Sequence, residues 1–166
     1  MARICGMDPQ TLRVWARRGT RPRAPRDRRY QWTYLFGAVC PARAATAALV
    51  PPEANTRAMS LRLAEIARQV ATGSHAALVF DGAGYHGAIS LVVPDNITVI
   101  APPPHAPELN PAENIREYLR GNKLSNTVFD SYDDIVDKTC EAWMFFASDK
   151  QHVTSVTTRS SATVND

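Results

Sequence analysis

Apolar and β-branched residues form short runs in the first half of the chain, separated by proline, glycine and charged residues. These runs predict three early strands, at residues 11–16, 30–39 and 44–50. Apolar and polar residues alternate only weakly in the first run, whereas the second run, YQWTYLFGAV, is rich in aromatic residues. A helix is predicted to begin at Asn55 or Thr56, because apolar residues then recur near helical spacing until Gly73.

The second half of the chain alternates between strand and helix patterns. Two short apolar runs predict strands at residues 76–81 and 97–101. Longer periodic segments predict helices from Pro111 to about Arg120 and from about Tyr132 to Phe146. Strands and helices in this order predict a mixed α/β fold.

The length of 166 residues, 45% of them hydrophobic, predicts one domain with a single core. We place this domain at residues 1–147. Residues 148–166 include eight serines or threonines and few residues to bury, so we expect a polar, disordered tail.

No apolar run reaches the ~18 residues of a membrane span, and the first residues lack the pattern of a signal peptide. Three cysteines lie far apart, at Cys5, Cys40 and Cys140, which indicates reduced thiols packed in the core and no structural zinc. We therefore expect a cytoplasmic protein without a membrane partner.

A basic segment between Arg13 and Arg29 holds eight arginines and one acidic residue, Asp27. Arginine pairs with phosphates through two hydrogen bonds and stacks on bases, so this segment predicts contact with nucleic acid. The candidate DNA-binding residues are Arg13, Arg17, Arg18, Arg21, Arg23 and Arg26. Proline and glycine in RRGTRPRAPR predict a loop or hairpin arm, and a solvated basic loop without a partner fits the charge equally well.

The segment LVFDGAGYHGA, residues 78–88, has three interpretations. Gly82, Gly84 and Gly87 match the dinucleotide-binding spacing, but that site needs a full helix after the glycines. Pro94 follows too soon for such a helix, and the carboxylate of Asp81 would repel the phosphates. The glycines then either permit only a tight turn or follow a strand that ends in a metal-binding carboxylate.

Glu113, in the segment PELNPAEN, is a candidate partner for Asp81. Asn110 and Pro111 suit the start of a helix, so Glu113 fits a capping box that has no further role. Apolar spacing along the helix predicts that Glu113 points away from the core, as a metal ligand or as an exposed cap residue. These residues alone leave both interpretations open.

Together, LVFDGAGYH and NITVIAPPPHAPELNPAENIREYLR resemble the catalytic domain of DDE-type transposases from mariner-like bacterial insertion sequences, and the resemblance extends from about residue 2 to residue 147. In that family one strand ends in the second catalytic Asp, and Leu-Asn-Pro-x-Glu supplies the third acid. The resemblance implies an RNase H-like fold, a mixed sheet flanked by helices. It implies that Asp81 and Glu113 are catalytic residues and ligands of Mg²⁺ or Mn²⁺ in two-metal cleavage of DNA. For His86 we expect a structural, hydrogen-bonded role; the alternatives are that it orients the site or contacts DNA.

The chain departs from the family pattern at its beginning. The first catalytic Asp of the family would lie one residue before Met1, so we expect an incomplete first strand and an inactive catalytic set. Asp8 is followed by Pro9 and predicts a turn, which makes it a poor substitute. Arg116 stands where the family often has Trp.

We therefore predict an N-terminally truncated catalytic domain of an insertion-sequence transposase. Such enzymes cleave and transfer DNA strands with two metal ions, and we expect this chain to be inactive by itself. The alternative is a DNA-binding remnant that inhibits or co-assembles with an intact transposase, which depends only on the arginines. Expected partners are DNA, at element ends and target, and a second copy or an intact transposase. We expect the protein at the nucleoid.

Overall fold

The computed structural model describes residues 2–5, 16–20, 23, 31–80, 90–101, 112–125 and 127–158, with the backbone alone for residues 2–5. The described strands are β1 Ala2–Cys5, β2 Trp32–Cys40, β3 Ala45–Leu49, β4 Ala76–Val79 and β5 Ile97–Ile100. The described helices are α1 Thr56–Gln69, α2 Ala112–Leu119, α3 Tyr132–Ser148 and α4 Lys150–Thr157. The predicted mixed α/β class is confirmed.

Two sheets are formed by the described strands. Strand β2 pairs antiparallel with both β1 and β3, and Leu35 lies opposite Ala2. Strands β4 and β5 pair in parallel, with Val79 opposite Ile100. The antiparallel early strands and parallel later strands are compatible with the expected RNase H-like domain. Its single sheet stays a prediction, because no pairing between these two sheets occurs within the described residues.

The central strand β2 separates two hydrophobic clusters, because successive side chains of a strand point to opposite faces. Leu35 packs with residues of α2, α3 and α4, including Leu119, Phe146 and Val153. Phe36, on the other face, packs with α1 and with the β4 and β5 sheet. The three-stranded sheet therefore lies between two helical layers.

Gly37 of β2 lies where these layers approach the strand most closely. A Cβ atom at Gly37 would stand 2.6 Å from Cζ3 and 2.7 Å from Cη2 of Trp143 in α3. From the other layer, the buried Arg62 of α1 donates a hydrogen bond from Nη2 to the carbonyl oxygen of Gly37. Glycine is therefore required here by close packing.

Helix α1 begins where the sequence predicts. Asn55 is its N-cap, and the side-chain Oδ1 accepts a hydrogen bond of 2.9 Å from the backbone N–H of Ala58. The helix ends at Gln69, and Gly73 lies beyond it with a φ of +78°. The predicted helix end at Gly73 is therefore about one turn too late.

The apolar pattern did not predict strand β1 and placed the first strand at residues 11–16, of which residues 11–15 lie outside the described residues. Ala16, which the prediction included, is not in a strand. The expected burial of the cysteines is wrong for Cys40, which is exposed at the end of β2, whereas Cys140 is half-buried.

The expected disorder of the tail is wrong for residues 150–157, which form α4. Val153 and Thr157 are fully buried, and Thr154 donates a hydrogen bond to the carbonyl oxygen of Pro41 after β2. Asp149 caps the helix, because its Oδ1 accepts a 3.0 Å hydrogen bond from the backbone N–H of His152. Polar composition thus concealed a helix whose few apolar residues are buried.

None of the helices in the described part of the chain is long and apolar enough to cross a membrane.

Replacing Gly37 by alanine is expected to destabilise the fold by about 1–3 kcal/mol, because the new methyl group meets the buried Trp143 ring. Gly121→Ala is the control, since a Cβ at Gly121 meets nothing within 4 Å. Urea unfolding of both variants measures the difference. Equal free energies of unfolding for the two variants would contradict the packing at Gly37.

The capping of α4 is expected to depend on acid pH. Hydrogen bonding to the backbone N–H of His152 lowers the pKa of Asp149 below its ordinary value of 3.8. The charged cap therefore stabilises the fold above that pH, and this contribution is lost as the pH falls through the folded-state pKa. The difference in melting temperature between wild type and Asp149→Asn should therefore decrease from pH 5 towards pH 2. Asp95→Asn, at an exposed residue that caps no described helix, is the control.

Candidate active site

The candidate site begins at the carboxyl end of β4. The backbone N–H of Phe80 donates a 3.0 Å hydrogen bond to the carbonyl oxygen of Ile100, so the pairing with β5 continues one residue beyond Val79. Phe80 is buried in the cluster that includes Phe36. The carboxyl ends of parallel strands lie at the same edge of a sheet, so the chain leaves both strands at this edge. Asp81 follows Phe80 directly and lies outside the described residues.

Glu113 is the second residue of α2, and its side chain is 58% exposed. The first backbone N–H groups of a helix have no partner within the helix, which favours a negative charge at this position. The Oε1 atom of Glu113 accepts a hydrogen bond of 2.5 Å from Nη2 of Arg116, one turn further along the helix. The carboxylate therefore combines access to solvent with one fixed partner.

The inner face of α2 fixes the direction of Glu113. Ile115 and Leu119 are buried in the cluster that contains Leu35. Asn114 donates from Nδ2 to the carbonyl oxygen of Val156 in α4, at 3.2 Å. The prediction that Glu113 points away from the core is confirmed. The predicted N-cap, Asn110, and Pro111 lie outside the described residues.

Helix α2 also lies beside β1, and Cα atoms of the two elements approach within 8 Å of each other. Through its packing on β2 and beside β1, the start of α2 has a defined place relative to the three-stranded sheet.

A divalent cation would find one suitable donor among the described residues of the predicted site. A carboxylate oxygen such as that of Glu113 is the hard ligand that Mg²⁺ and Mn²⁺ accept, so the chemistry of this residue fits the ion. Within the described ranges, no three His, Cys, Asp or Glu side chains cluster as a metal site. The ligand pair Asp81 and Glu113 stays a prediction, as does the role of His86, which lies outside the described residues.

The described arginines of the basic segment are exposed, as expected for a loop: these are Arg17, Arg18 and Arg23. The backbone N–H of Thr20 donates to the carbonyl oxygen of Arg17 at 3.0 Å, and Gly19 has a φ of +85°. This is a turn in which glycine supplies the left-handed conformation. Arg13, Arg21 and Arg26 lie outside the described residues, together with Gly82, Gly84 and Gly87.

The sequence did not predict the roles of two arginines near the site, Arg62 and Arg116. Arg62 is buried in α1, with its guanidinium 5.9 Å from the ring centre of Phe36 and 5.8 Å from that of Phe80. Its signal in the sequence is a charged residue at an inward position of α1. Arg116 was noted only as a departure from Trp, although its spacing of three residues from Glu113 permits an ion pair.

Comparisons with known proteins identify relatives over most of the chain. A family model described as "DDE superfamily endonuclease" matches residues 5–136, a range that includes Asp81 and Glu113. The chain is 53% identical over 112 residues to "Uncharacterized protein y4pE/y4sA" of Sinorhizobium fredii (strain NBRC 101917 / NGR234), which covers 68% of this chain and 83% of that relative. No solved structure gives a significant match. The family model covers most of this chain, and the chain therefore belongs to the DDE superfamily endonuclease family.

Proposed function

We propose that this chain is the catalytic domain of an insertion-sequence transposase of the mariner-like type, with an RNase H-like fold, of the class that cleaves and joins DNA phosphodiesters. The family match supports an endonuclease that acts on DNA. The observation that carries the proposal is the placement of Glu113: it is an exposed carboxylate on a helix that is firmly anchored to the core. An anchored helix with an outward carboxylate suits a residue that must hold its position while a substrate binds.

In this proposal Asp81 and Glu113 hold Mg²⁺ or Mn²⁺ through carboxylate oxygens. A bound divalent cation would polarise the phosphodiester and lower the pKa of the attacking water or hydroxyl group. The protein contributes the position of its carboxylates. For Glu113, burial of Ile115 and Leu119 fixes the helix.

The exposed arginines supply the second part of the proposal. Arg17 and Arg18 are exposed in a turn, and Arg23 is exposed as well, so their guanidinium groups can pair with the phosphates of DNA. The alternative function, a DNA-binding remnant that inhibits or co-assembles with an intact transposase, rests on these arginines alone. A second copy of the chain or an intact transposase as partner, and a location at the nucleoid, remain proposals of the same kind.

The catalytic proposal is tested by nicking of supercoiled plasmid DNA in the presence of Mn²⁺. Any nicking by the chain is expected to fall about 100-fold or more in Glu113→Gln, since even indirect partners of a metal typically contribute 10–100-fold. The matched control is Glu117→Gln, an exposed carboxylate one turn further along α2, which should nick like wild type. Asp81→Asn should behave like Glu113→Gln.

Each result of the nicking assay decides a different point. Nicking that persists in Glu113→Gln would contradict the catalytic proposal. An inactive wild-type chain that still binds DNA would agree with the predicted inactivity and favour the DNA-binding alternative.

The DNA-binding proposal predicts the dependence of affinity on salt. Replacing Arg17, Arg18 and Arg23 together by alanine should reduce the slope of log K against log [salt] by about 2–3, because each phosphate contact contributes about 0.9. The control replaces three exposed arginines outside the loop: Arg43, Arg57 and Arg68. Fluorescence anisotropy with a labelled duplex measures both slopes. The same slope for the two triple variants would show that the loop does not contact the phosphates.

A further inference from the structure

The ion pair between Arg116 and Glu113 differs from an ordinary surface pair. Its N–O distance is 2.5 Å, and the Arg116 side chain is only 31% exposed. The Nε atom of Arg116 is buried and has no hydrogen-bond partner among the described residues. The guanidinium is therefore partly enclosed by the protein, while its Nη2 atom contacts the carboxylate.

The chain contains a second pair with the same spacing, which allows a direct comparison. Arg68 and Glu65 of α1 also lie three residues apart, at 2.7 Å, but their side chains are 75% and 47% exposed. A pair of this exposed kind contributes little, because solvent screens the charges and two long side chains lose freedom. Arg116 is less exposed than Arg68, so less of its freedom remains to be lost in the contact with Glu113, although Glu113 itself is 58% exposed.

We propose that Arg116 is an affinity-determining residue of the active site, which competes with the divalent cation for the carboxylate of Glu113. This inference rests on the proposed function, in which Glu113 is a metal ligand. The guanidinium occupies one carboxylate oxygen and places a positive charge next to any cation that binds the other. The ion must then displace the guanidinium or bind in its field, and either route weakens binding.

The size of the effect follows from the charges. A carboxylate oxygen lies about 2.1 Å from a bound Mg²⁺ ion, so the Arg116 charge would stand within a few ångströms of the metal. Even with the dielectric constant of water, repulsion between a divalent and a monovalent cation at about 5 Å changes binding on the order of ten-fold. Removing the charge of Arg116 should therefore tighten metal binding by that factor.

The test measures Mn²⁺ binding to the full chain by isothermal titration calorimetry, without DNA and independently of activity. Arg116→Met retains most of the buried side-chain volume and removes the charge, and it should lower the Kd for Mn²⁺ by about ten-fold. Arg116→Lys keeps the charge and should remain near wild type. Arg68→Met removes the guanidinium of the comparison pair and should leave the Kd unchanged. Thermal melts establish that each variant is folded.

Glu113→Gln separates failure of this inference from failure of the proposed function. If Glu113→Gln weakens Mn²⁺ binding but Arg116→Met does not tighten it, the competition is wrong and the metal site stands. If Glu113→Gln changes Mn²⁺ binding neither in wild type nor in the Arg116→Met background, the metal site itself is wrong. Two results together support the competition and the metal site. Mn²⁺ binding appears or tightens in Arg116→Met, and it is lost in the double variant that also carries Glu113→Gln.

Discussion

The close approach of two helical layers at Gly37 is the constraint on which the rest of the structure depends. The Trp143 ring fills the space where a side chain would stand, and Arg62 donates to the carbonyl oxygen of the same residue. Arg62 also lies near the ring of Phe80, the last described residue before Asp81. On the opposite face, Trp143 belongs to the cluster that anchors α2 and therefore directs Glu113. Gly37 thus connects the packing that directs Glu113 with the packing around Phe80 at the end of β4.

Much of this architecture was predictable, because several elements carry their own local signals. The start of α1 at its Asn55 cap, the β2 and β3 hairpin, and the start of α3 all lie within about two residues of the predicted bounds. The outward direction of Glu113 was predictable for the same reason, since helical spacing places Ile115 and Leu119 on the opposite side. Periodicity determines which face of a helix is buried without knowledge of what covers it.

Features that depend on distant contacts were not predictable. Strand β1 is only four residues long and is defined by its pairing with β2, which its own composition does not indicate. Helix α4 is polar, and its buried Val153 gains a partner only when α2 and α3 are already packed. The ion pair of Arg116 has a spacing visible in the sequence, but the partial burial that distinguishes it from the pair of Arg68 depends on tertiary structure.

The environment of Glu113 shows why family membership and local chemistry answer different questions. The family match concerns the type of reaction, whereas the charges around the carboxylate govern how strongly a cation binds there. The positive end of the helix dipole and the guanidinium of Arg116 both attract the carboxylate of Glu113, and the same positive charges oppose a second cation. A carboxylate that is well stabilised by its own protein is thereby a weaker ligand. In the proposed function, the balance between these two effects depends on Arg116, one helical turn away, and sets the metal concentration at which the site is loaded.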